Sequence, residues 1–212
     1  MEIVDNKLVL HSDRPDSQRK IANILTAARC EFFANGFSAT SIEAVAARAG
    51  VSKVTVYSWF KNKENLFGEM VKAECSQLRE NFVVDNLEGS SLRDILLFAA
   101  HGMLDFFMRD EMVRFERMLA AEVNRDPKIG KYFLDNGPRV LSGDLNNLLH
   151  AAIERGEIQS EDVDASAEMF AGLIRGRIDL FLRYGHKITM TKEEKQKWVH
   201  RAVDAWLLIH RI

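Results

Sequence analysis

The stretch AARAGVSKVTVYSWFKNKENL, residues 46–66, predicts two short helices joined by a tight turn. An alanine-rich segment ends at Gly50, because glycine readily adopts the positive φ that such a turn needs. Ser52 follows as the cap of a second helix that runs to about Phe60. A helix, a glycine turn and a second helix form the arrangement of a helix-turn-helix, whose second helix fits the major groove of DNA.

The second helix of this motif has two distinct faces. At about 100° per residue, Val56, Trp59 and Phe60 fall on one side and are predicted to pack inward. The other side and the start of the helix are predicted to face DNA through Ser52, Lys53, Val54, Thr55, Tyr57 and Ser58.

The residue types on the outer face suit base and phosphate contacts. Lys53 could donate to guanine acceptors, and the methyl groups of Val54 and Thr55 could contact thymine methyls. The hydroxyl of Tyr57 suits a phosphate oxygen. The competing interpretation is that Tyr57 is half-buried filler and Lys53 a solvated surface charge.

Three residues outside this helix are predicted to contact the flanking phosphates. Thr40 and Ser41 stand at the start of the preceding helix, and Lys63 stands near the start of the following one. Hydroxyl, amide and ammonium donors at helix starts are typical phosphate contacts.

The rest of the chain predicts an all-α fold. Apolar residues recur at spacings of three and four, without the alternation or the Asn-Gly turns that are typical of hairpins. We expect about nine helices, as a three-helix head on a larger helical domain. The predicted divisions are a flexible arm at 1–15, a DNA-binding head at 16–62 and a larger helical domain at 63–212. Between them, a fourth helix that begins near Lys63 is the predicted connector.

Composition narrows the class of protein further. A chain of 212 residues is long enough to bury a core without disulfides. Its 47% hydrophobic and 28% charged residues are typical of a globular protein. Cys30 and Cys75 have no metal-ligand spacing, so no metal site and no cofactor is predicted. The sequence contains no signal peptide and no apolar run of about eighteen residues, so we expect a cytoplasmic protein that does not contact membranes.

Charge is distributed unevenly along the chain. Eight basic and three acidic residues lie between Arg14 and Lys63, which gives that segment a net charge of +5 although the whole chain carries −2. Only the N-terminal part is therefore expected to face a polyanion.

The segment RKIANILTAARCEFFANGFSATSIEAVAARAGVSKVTVYSWFKNKENLFGEMV, residues 19–71, strongly resembles the DNA-binding domain of the TetR (tetracycline repressor) family. The GF..TS link, AGVSK.TVY..F and K.ENLF match the family pattern in order and spacing. By this resemblance, positions that commonly touch DNA correspond to Thr40, Ser41, Lys53, Thr55, Tyr57 and Lys63. Val54 departs from the small glycine often found there, which bears on the base preference.

The resemblance implies a homodimeric repressor that binds a palindromic operator in double-stranded DNA, with residues 63–212 as an effector-binding and dimerisation domain. The last two predicted helices offer apolar faces that could pair with their symmetry mates in a four-helix interface. The predicted interface residues are Phe170, Ala171, Ile174, Ile178, Phe181, Val199, Val203 and Trp206. The alternative is that both faces belong to the core of a single chain.

A ligand pocket is predicted in the helical domain from the stretch HGMLDFFMRDEMVRFERML. Flexible thioethers and aromatic rings suit an apolar or amphipathic small molecule of unknown identity. The candidate lining residues are His101, Met103, Phe107, Phe115 and Met118. The alternative is that these are ordinary core residues and that His101 is a hydrogen-bonded histidine.

Two other functions compete with a ligand-released repressor. The first is a DNA-binding protein without a small-molecule effector, controlled by a protein partner or structural on the chromosome; a tightly packed helical domain would favour it, whereas a cavity of several hundred Å³ would favour an effector. The second is an enzyme, but the sequence shows no nucleophile elbow, no HExxH and no phosphate-binding glycine loop, so no catalytic residue is predicted.

Overall fold

The computed structural model describes residues 3–4, 7–8, 15–80 and 90–211. The described chain forms ten helices: α1 Pro15–Ala39, α2 Ile42–Ala49, α3 Lys53–Phe60, α4 Lys63–Glu80, α5 Leu92–Phe107, α6 Asp110–Val123, α7 Pro127–Asn136, α8 Pro138–Glu154, α9 Val163–Arg183 and α10 Lys192–His210. The all-α prediction is confirmed. The stretch Pro127–Asn136 forms helix α7, and the described chain has one helix more than the expected nine.

The predicted flexible arm at 1–15 lies largely outside the described residues. Within it, strand β1, Ile3–Val4, pairs antiparallel with strand β2, Lys7–Leu8, and Ile3 lies opposite Leu8. The first helix begins at Pro15.

The N-terminal helices share one hydrophobic cluster with α6. Phe32 of α1, Val45 of α2, Phe60 of α3 and Phe67 of α4 are all fully buried in it. Phe33 of α1 stacks on Phe115 of α6, with ring centroids 4.3 Å apart and an angle of 5° between the ring planes. The DNA-binding head is therefore packed directly against a helix of the larger domain.

Two glycines shape the head where the sequence predicted breaks. Gly50 has φ 67° and ψ 31°, and it ends α2 with hydrogen bonds to the carbonyls of Ala46 and Ala47. Gly36 has φ 81° and ψ 177°, which interrupts α1 before its last turn. Both conformations are ones that residues with a Cβ rarely adopt.

The larger domain is built around a second hydrophobic cluster. Leu96 of α5, Leu148 of α8, Phe170 of α9 and Trp206 of α10 are all fully buried in it. No helix in the part of the chain that the structure describes is both long and apolar enough to cross a bilayer.

The structure corrects most of the predicted dimer interface. Six of its eight residues are at most 4% exposed within a single chain: Phe170, Ile174, Ile178, Val199, Val203 and Trp206. They belong to the core that α9 and α10 form with their own neighbours, so they cannot contact a second copy. Ala171 is half-buried, and only Phe181, at 40% exposed, reaches the surface.

Candidate DNA-binding face and ligand cavity

Helix α3 owes its start to Ser52. The Ser52 hydroxyl accepts a hydrogen bond from the Thr55 amide at 3.1 Å and lies 2.8 Å from the Thr55 hydroxyl. This N-cap satisfies an amide that has no partner within the helix. The helix ends at Lys61, whose φ of 68° is positive and whose amide bonds to the Tyr57 carbonyl.

The two predicted faces of α3 are present in the structure. Val56 and Phe60 are buried, and Trp59 is half-buried against the same cluster. On the other side Val54 is 76% exposed and Tyr57 is 40% exposed. The helix therefore presents an exposed stripe at helical spacing, formed by Val54, Tyr57, Ser58 and Lys61.

Lys53 is held at the edge of this stripe by Glu43 of α2. Its ammonium forms an ion pair with the Glu43 carboxylate and lies 5.6 Å from the centre of the Tyr57 ring. The hydrogen bond between them lowers the pKa of the Glu43 carboxyl and raises the pKa of the Lys53 ammonium. An exposed ion pair of this kind contributes little free energy, so the ammonium can exchange Glu43 for a base or phosphate acceptor.

Two of the predicted phosphate contacts are engaged inside the protein instead. Thr40 is only 3% exposed, and its hydroxyl donates to the carbonyls of Gly36 and Glu31 at 2.7 and 3.1 Å. Lys63 donates to the carbonyls of Phe37 and Thr40 at 2.9 and 3.0 Å. These side chains fix the connection between α1, α2 and α4, and they do not lie free on the outer face.

Ser41 and Lys61 complete the polar surface near α3. Ser41 is exposed and caps α2, because its hydroxyl accepts the Ala44 amide at 3.1 Å. Lys61 is exposed at the end of α3 and was not among the predicted DNA contacts. Its position next to Tyr57 and Ser58 on the helical repeat was the signal that could have identified it.

Two arginines of the head form ion pairs within the protein. Arg48 pairs with Glu31 at 2.6 Å, and Arg29 pairs with Glu74 and Glu111 at 2.5 Å each. Among the exposed basic residues of the head, Lys53 and Lys61 lie at α3, whereas Arg19 and Lys20 lie on α1.

The larger domain contains a cavity of about 710 Å³ that is lined by α1 and α4 to α9. Among the predicted ligand residues, Met103, Phe107 and Phe115 line it. Further apolar side chains from four other helices complete the wall: Phe33, Met70, Phe133, Leu141 and Leu145. The volume falls in the range of small-molecule binding sites.

The other two predicted ligand residues lie elsewhere. Met118 packs beside Gly36 in the N-terminal cluster. His101 is half-buried among the polar residues of α5 and α10, and burial lowers its pKa. Neither residue lines the cavity.

Sequence reasoning missed the charged residues of the cavity wall. They are Glu74, Glu116, Arg117, Glu168, Arg175, Asp179 and Arg183. Burial raises the pKa of the Glu116 carboxyl. The sequence offered a partial signal for these charged wall residues. Glu116 and Arg117 directly follow Phe115, and Arg175 and Asp179 are four residues apart on α9, the spacing of an ion pair on a helix.

Two polar links connect the cavity wall with the head. Glu74 of α4 lines the cavity and accepts hydrogen bonds from Arg29 of α1 and from Arg109 at 2.5 and 3.2 Å. Glu122 of α6 accepts the amides of Phe37 and Ser38 at 3.0 and 3.2 Å. These hydrogen bonds join α4 and α6, two helices that line the cavity, to α1 and to its last turn before α2.

Two family models match the chain in sequence. Residues 24–70 match the model of bacterial regulatory proteins of the tetR family. Residues 94–211 match the C-terminal domain of AefR-like transcriptional repressors. Together they include α3 and most of the helices around the cavity.

Relatives and solved structures agree with these matches. The HTH-type transcriptional regulator YdeS of Bacillus subtilis (strain 168), itself uncharacterised, is 28% identical over 168 residues, which cover 78% of this chain and 81% of YdeS. The flavonoid-responsive regulator FrrA is 31% identical with a TM-score of 0.72, covering 92% of this chain and 98% of FrrA. The transcriptional regulator FadR of Bacillus subtilis, solved with stearoyl-CoA, shares the fold at 19% identity, with a TM-score of 0.64 and coverage of 88% and 97%.

Proposed function

Since the chain belongs to the TetR family of transcriptional regulators, we propose that it is a homodimeric repressor that binds a palindromic operator and is released by a small molecule. The observation that carries this proposal is the pairing of an exposed, capped α3 with a cavity whose walls are hydrogen-bonded to the head. A single α3 offers too few base contacts for a specific site, so two copies are needed on adjacent major grooves.

The dimer is proposed to form through the outer faces of α9 and α10. Exposed apolar side chains lie on these helices and on the turn that follows α9: Met169, Leu180, Phe181, Tyr184, Leu208 and Ile209. Helices α9 and α10 already pack on one another, so each chain would contribute two helices to a four-helix interface. This face replaces the buried one that the sequence suggested, with Phe181 as the shared member.

Leu208→Lys is expected to dissociate the dimer. Leu208 is 61% exposed, and a two-fold axis would bring two added ammonium groups into one apolar interface. We expect the dimer dissociation constant to rise by about a hundredfold or more, measured by sedimentation equilibrium, with an unchanged helical circular dichroism signal.

The matched control is Phe98→Lys on α5, which alters a similarly exposed side chain on a helix outside the proposed interface. It should leave the association unchanged. Dissociation by Phe98→Lys but not by Leu208→Lys would place the interface on another face.

A small-molecule effector is favoured over control by a protein partner alone. A tightly packed helical domain would have supported control by a protein partner, whereas the cavity of about 710 Å³ has room for a ligand. FrrA is described as flavonoid-responsive and FadR was solved with stearoyl-CoA, so related folds serve ligand-responsive regulators. By analogy, we assign the cavity to an apolar or amphipathic effector.

The proposed release acts through the spacing of the two recognition helices. Palindromic half-sites one helical turn apart require the two copies of α3 to be about 34 Å apart. A ligand that binds better to a state with another spacing shifts the population away from the DNA-binding state. The links from Glu74 to Arg29 and from Glu122 to the α1–α2 turn are the route we propose for this shift.

The test is selection of duplex DNA from a random pool with the purified dimer, followed by fluorescence anisotropy on the enriched sequence. We expect a palindrome with half-sites about 10 base pairs apart and a steep loss of affinity with added salt. Equal affinity for the enriched site and for scrambled DNA of the same length would refute an operator-specific repressor.

Lys53→Ala is expected to flatten sequence discrimination. If Lys53 reads guanine, its loss should reduce the preference for one base pair in each half-site by about 1–3 kcal/mol, measured on single-base variants of the operator. Tyr57→Phe should instead weaken all these variants equally, because a hydroxyl bound to phosphate carries no base information.

The matched control is Arg114→Ala, which removes an exposed positive charge from α6. It should leave the discrimination unchanged. A uniform loss of affinity in Lys53→Ala would reassign this residue to the phosphate backbone.

A further inference from the structure

Arg117 is the one cavity arginine without a carboxylate partner among the residues that the structure describes. Its guanidinium donates to the Leu182 carbonyl near the end of α9. Its Nε is buried and has no hydrogen-bond partner within the described chain. Arg175 and Arg183, by contrast, both lie within 4 Å of Asp179.

The acids of the same wall are mostly committed elsewhere. Glu74 accepts hydrogen bonds from Arg29 and Arg109, and Asp179 pairs with Arg183 at 2.8 Å. Glu116 is the nearest in sequence; its carboxylate lies 3.8 Å from the Arg175 guanidinium, and burial raises the pKa of its carboxyl. None of these carboxylates, nor that of Glu168, forms an ion pair with Arg117 among the residues that the structure describes.

A partly buried guanidinium with unused donors favours an anion. Arginine remains charged at all physiological pH values, and its donor pattern matches a carboxylate. Around it the cavity is largely apolar, with Met103, Phe107 and Phe115 in the wall. A charge-assisted hydrogen bond is stronger in such surroundings than in water.

Arg175 adds a second polar contact on the opposite helix. Its guanidinium carbon lies 4.0 Å from the centre of the Phe107 ring. Its nearest carboxylate oxygens, on Glu116 and Asp179, are 3.8 and 3.9 Å away, which is longer than a hydrogen bond. Its donors can therefore also turn toward a bound molecule.

We propose that the effector is an amphipathic carboxylate, whose anionic group binds Arg117 while its apolar body fills the rest of the cavity. This inference depends on the proposed function only in assigning a regulatory role to the bound ligand. The binding site itself requires no DNA. Because Arg117 bridges α6 and α9, an anion that draws its guanidinium away from the Leu182 carbonyl would alter the helix that holds Glu122.

The experiment compares carboxylates with neutral molecules of the same body by isothermal titration calorimetry on the full-length dimer. The probes are decanoate against 1-decanol, and 2-naphthoate against 2-naphthol, with decylammonium as the cationic counterpart. We expect at least one carboxylate to bind about tenfold or more tightly than its neutral partner, as a charge-assisted hydrogen bond in an apolar site would produce. Carboxylates no tighter than the alcohols, a preference for decylammonium, or no carboxylate binding at all would each overturn the proposal.

The variants assign the preference to one side chain. Arg117→Met keeps much of the apolar stem and removes the charge, and it should bring the ratio of carboxylate to alcohol affinity to within about twofold of unity. Arg117→Lys should restore part of the ratio, and Arg114→Met on the exposed side of α6 should keep all of it. A ratio unchanged in Arg117→Met would place the anion elsewhere and refute the assignment.

Operator release, measured in parallel by anisotropy, separates the two proposals. Carboxylates that bind through Arg117 but leave the operator complex intact would contradict the ligand-released repressor and leave the anion site standing. Release caused by the neutral alcohols alone would support the repressor and refute the carboxylate.

Discussion

Trp206→Ala is expected to lower the free energy of unfolding by about 3–5 kcal/mol, the range found for removal of a large buried aromatic side chain. Trp206 is 0% exposed in the described chain. Its ring stacks on His210 at 3.9 Å and meets Phe170 edge-on at 5.8 Å. Its indole N–H donates to the Ser166 carbonyl at 2.8 Å, and alanine would remove that buried hydrogen bond.

The measurement is urea denaturation followed by circular dichroism at several protein concentrations. Concentration matters because the stability of a dimer depends on its association. A loss that stays constant as the concentration rises would show that Trp206 stabilises each chain. A loss that disappears at high concentration would return Trp206 to the interface where the sequence had placed it.

The control for this prediction is Leu208→Ala, two residues further along the same helix. Leu208 is exposed, so its truncation should cost each chain less than about 0.5 kcal/mol. If Leu208 lies in the proposed dimer interface, its effect should appear chiefly as weaker association. The pair of variants thus separates the inner and outer faces of α10.

The head could be predicted well because its signals are local. Ser52 and Gly50 mark the start of α3 and the preceding turn, and the helical step of about 100° per residue places Val54 and Val56 on opposite sides of α3. Each of these signals depends on residues a few positions apart. The faces of α3 agree with the structure for that reason.

The contacts of Thr40 and Lys63 could not be predicted in this way. Both residues have donors that suit phosphate, and the sequence does not show that backbone carbonyls from a neighbouring turn are closer. The Phe37 carbonyl is available because it lies in the last turn of α1, and the approach of Lys63 to it depends on packing between helices. Tertiary contacts therefore overrode a reasonable assignment by residue type.

The faces of α10 were ambiguous for a different reason. Its last turns carry apolar residues on both sides, since Trp206 is buried whereas Leu208 and Ile209 are exposed. Periodicity cannot distinguish a core face from an interface face when both are apolar. The cavity had the same difficulty, because its wall combines side chains from helices that are distant in sequence.

Gly36→Ala is expected to destabilise the head by about 2–5 kcal/mol. The conformation of Gly36, with φ 81° and ψ 177°, belongs to a region that residues with a Cβ avoid at a cost of about 1–3 kcal/mol. In addition, an added Cβ would overlap the Glu122 carboxylate and lie close to the Met118 sulfur. The carboxylate would have to move, which would leave the amides of Phe37 and Ser38 without their acceptor.

The matched control is Gly143→Ala in α8, where no atom lies within 4 Å of the added Cβ. Alanine in a helix interior is more favourable than glycine by about 1 kcal/mol, so this variant should be unchanged or slightly more stable. Thermal unfolding of both variants, together with their operator affinity, measures the difference. Equal stability of the two would show that the Gly36 turn tolerates a side chain.

A double-mutant cycle with Glu122→Ala separates the two causes of the loss. Without the carboxylate, Gly36→Ala should cost only the backbone strain, so the two changes together should be less damaging than their sum by about 1 kcal/mol or more. Glu122→Ala alone should keep operator binding and ligand binding but weaken the release of one by the other, because α6 no longer holds the turn before α2. Full release in Glu122→Ala would show that the response passes through α4 and the pair of Glu74 with Arg29 instead.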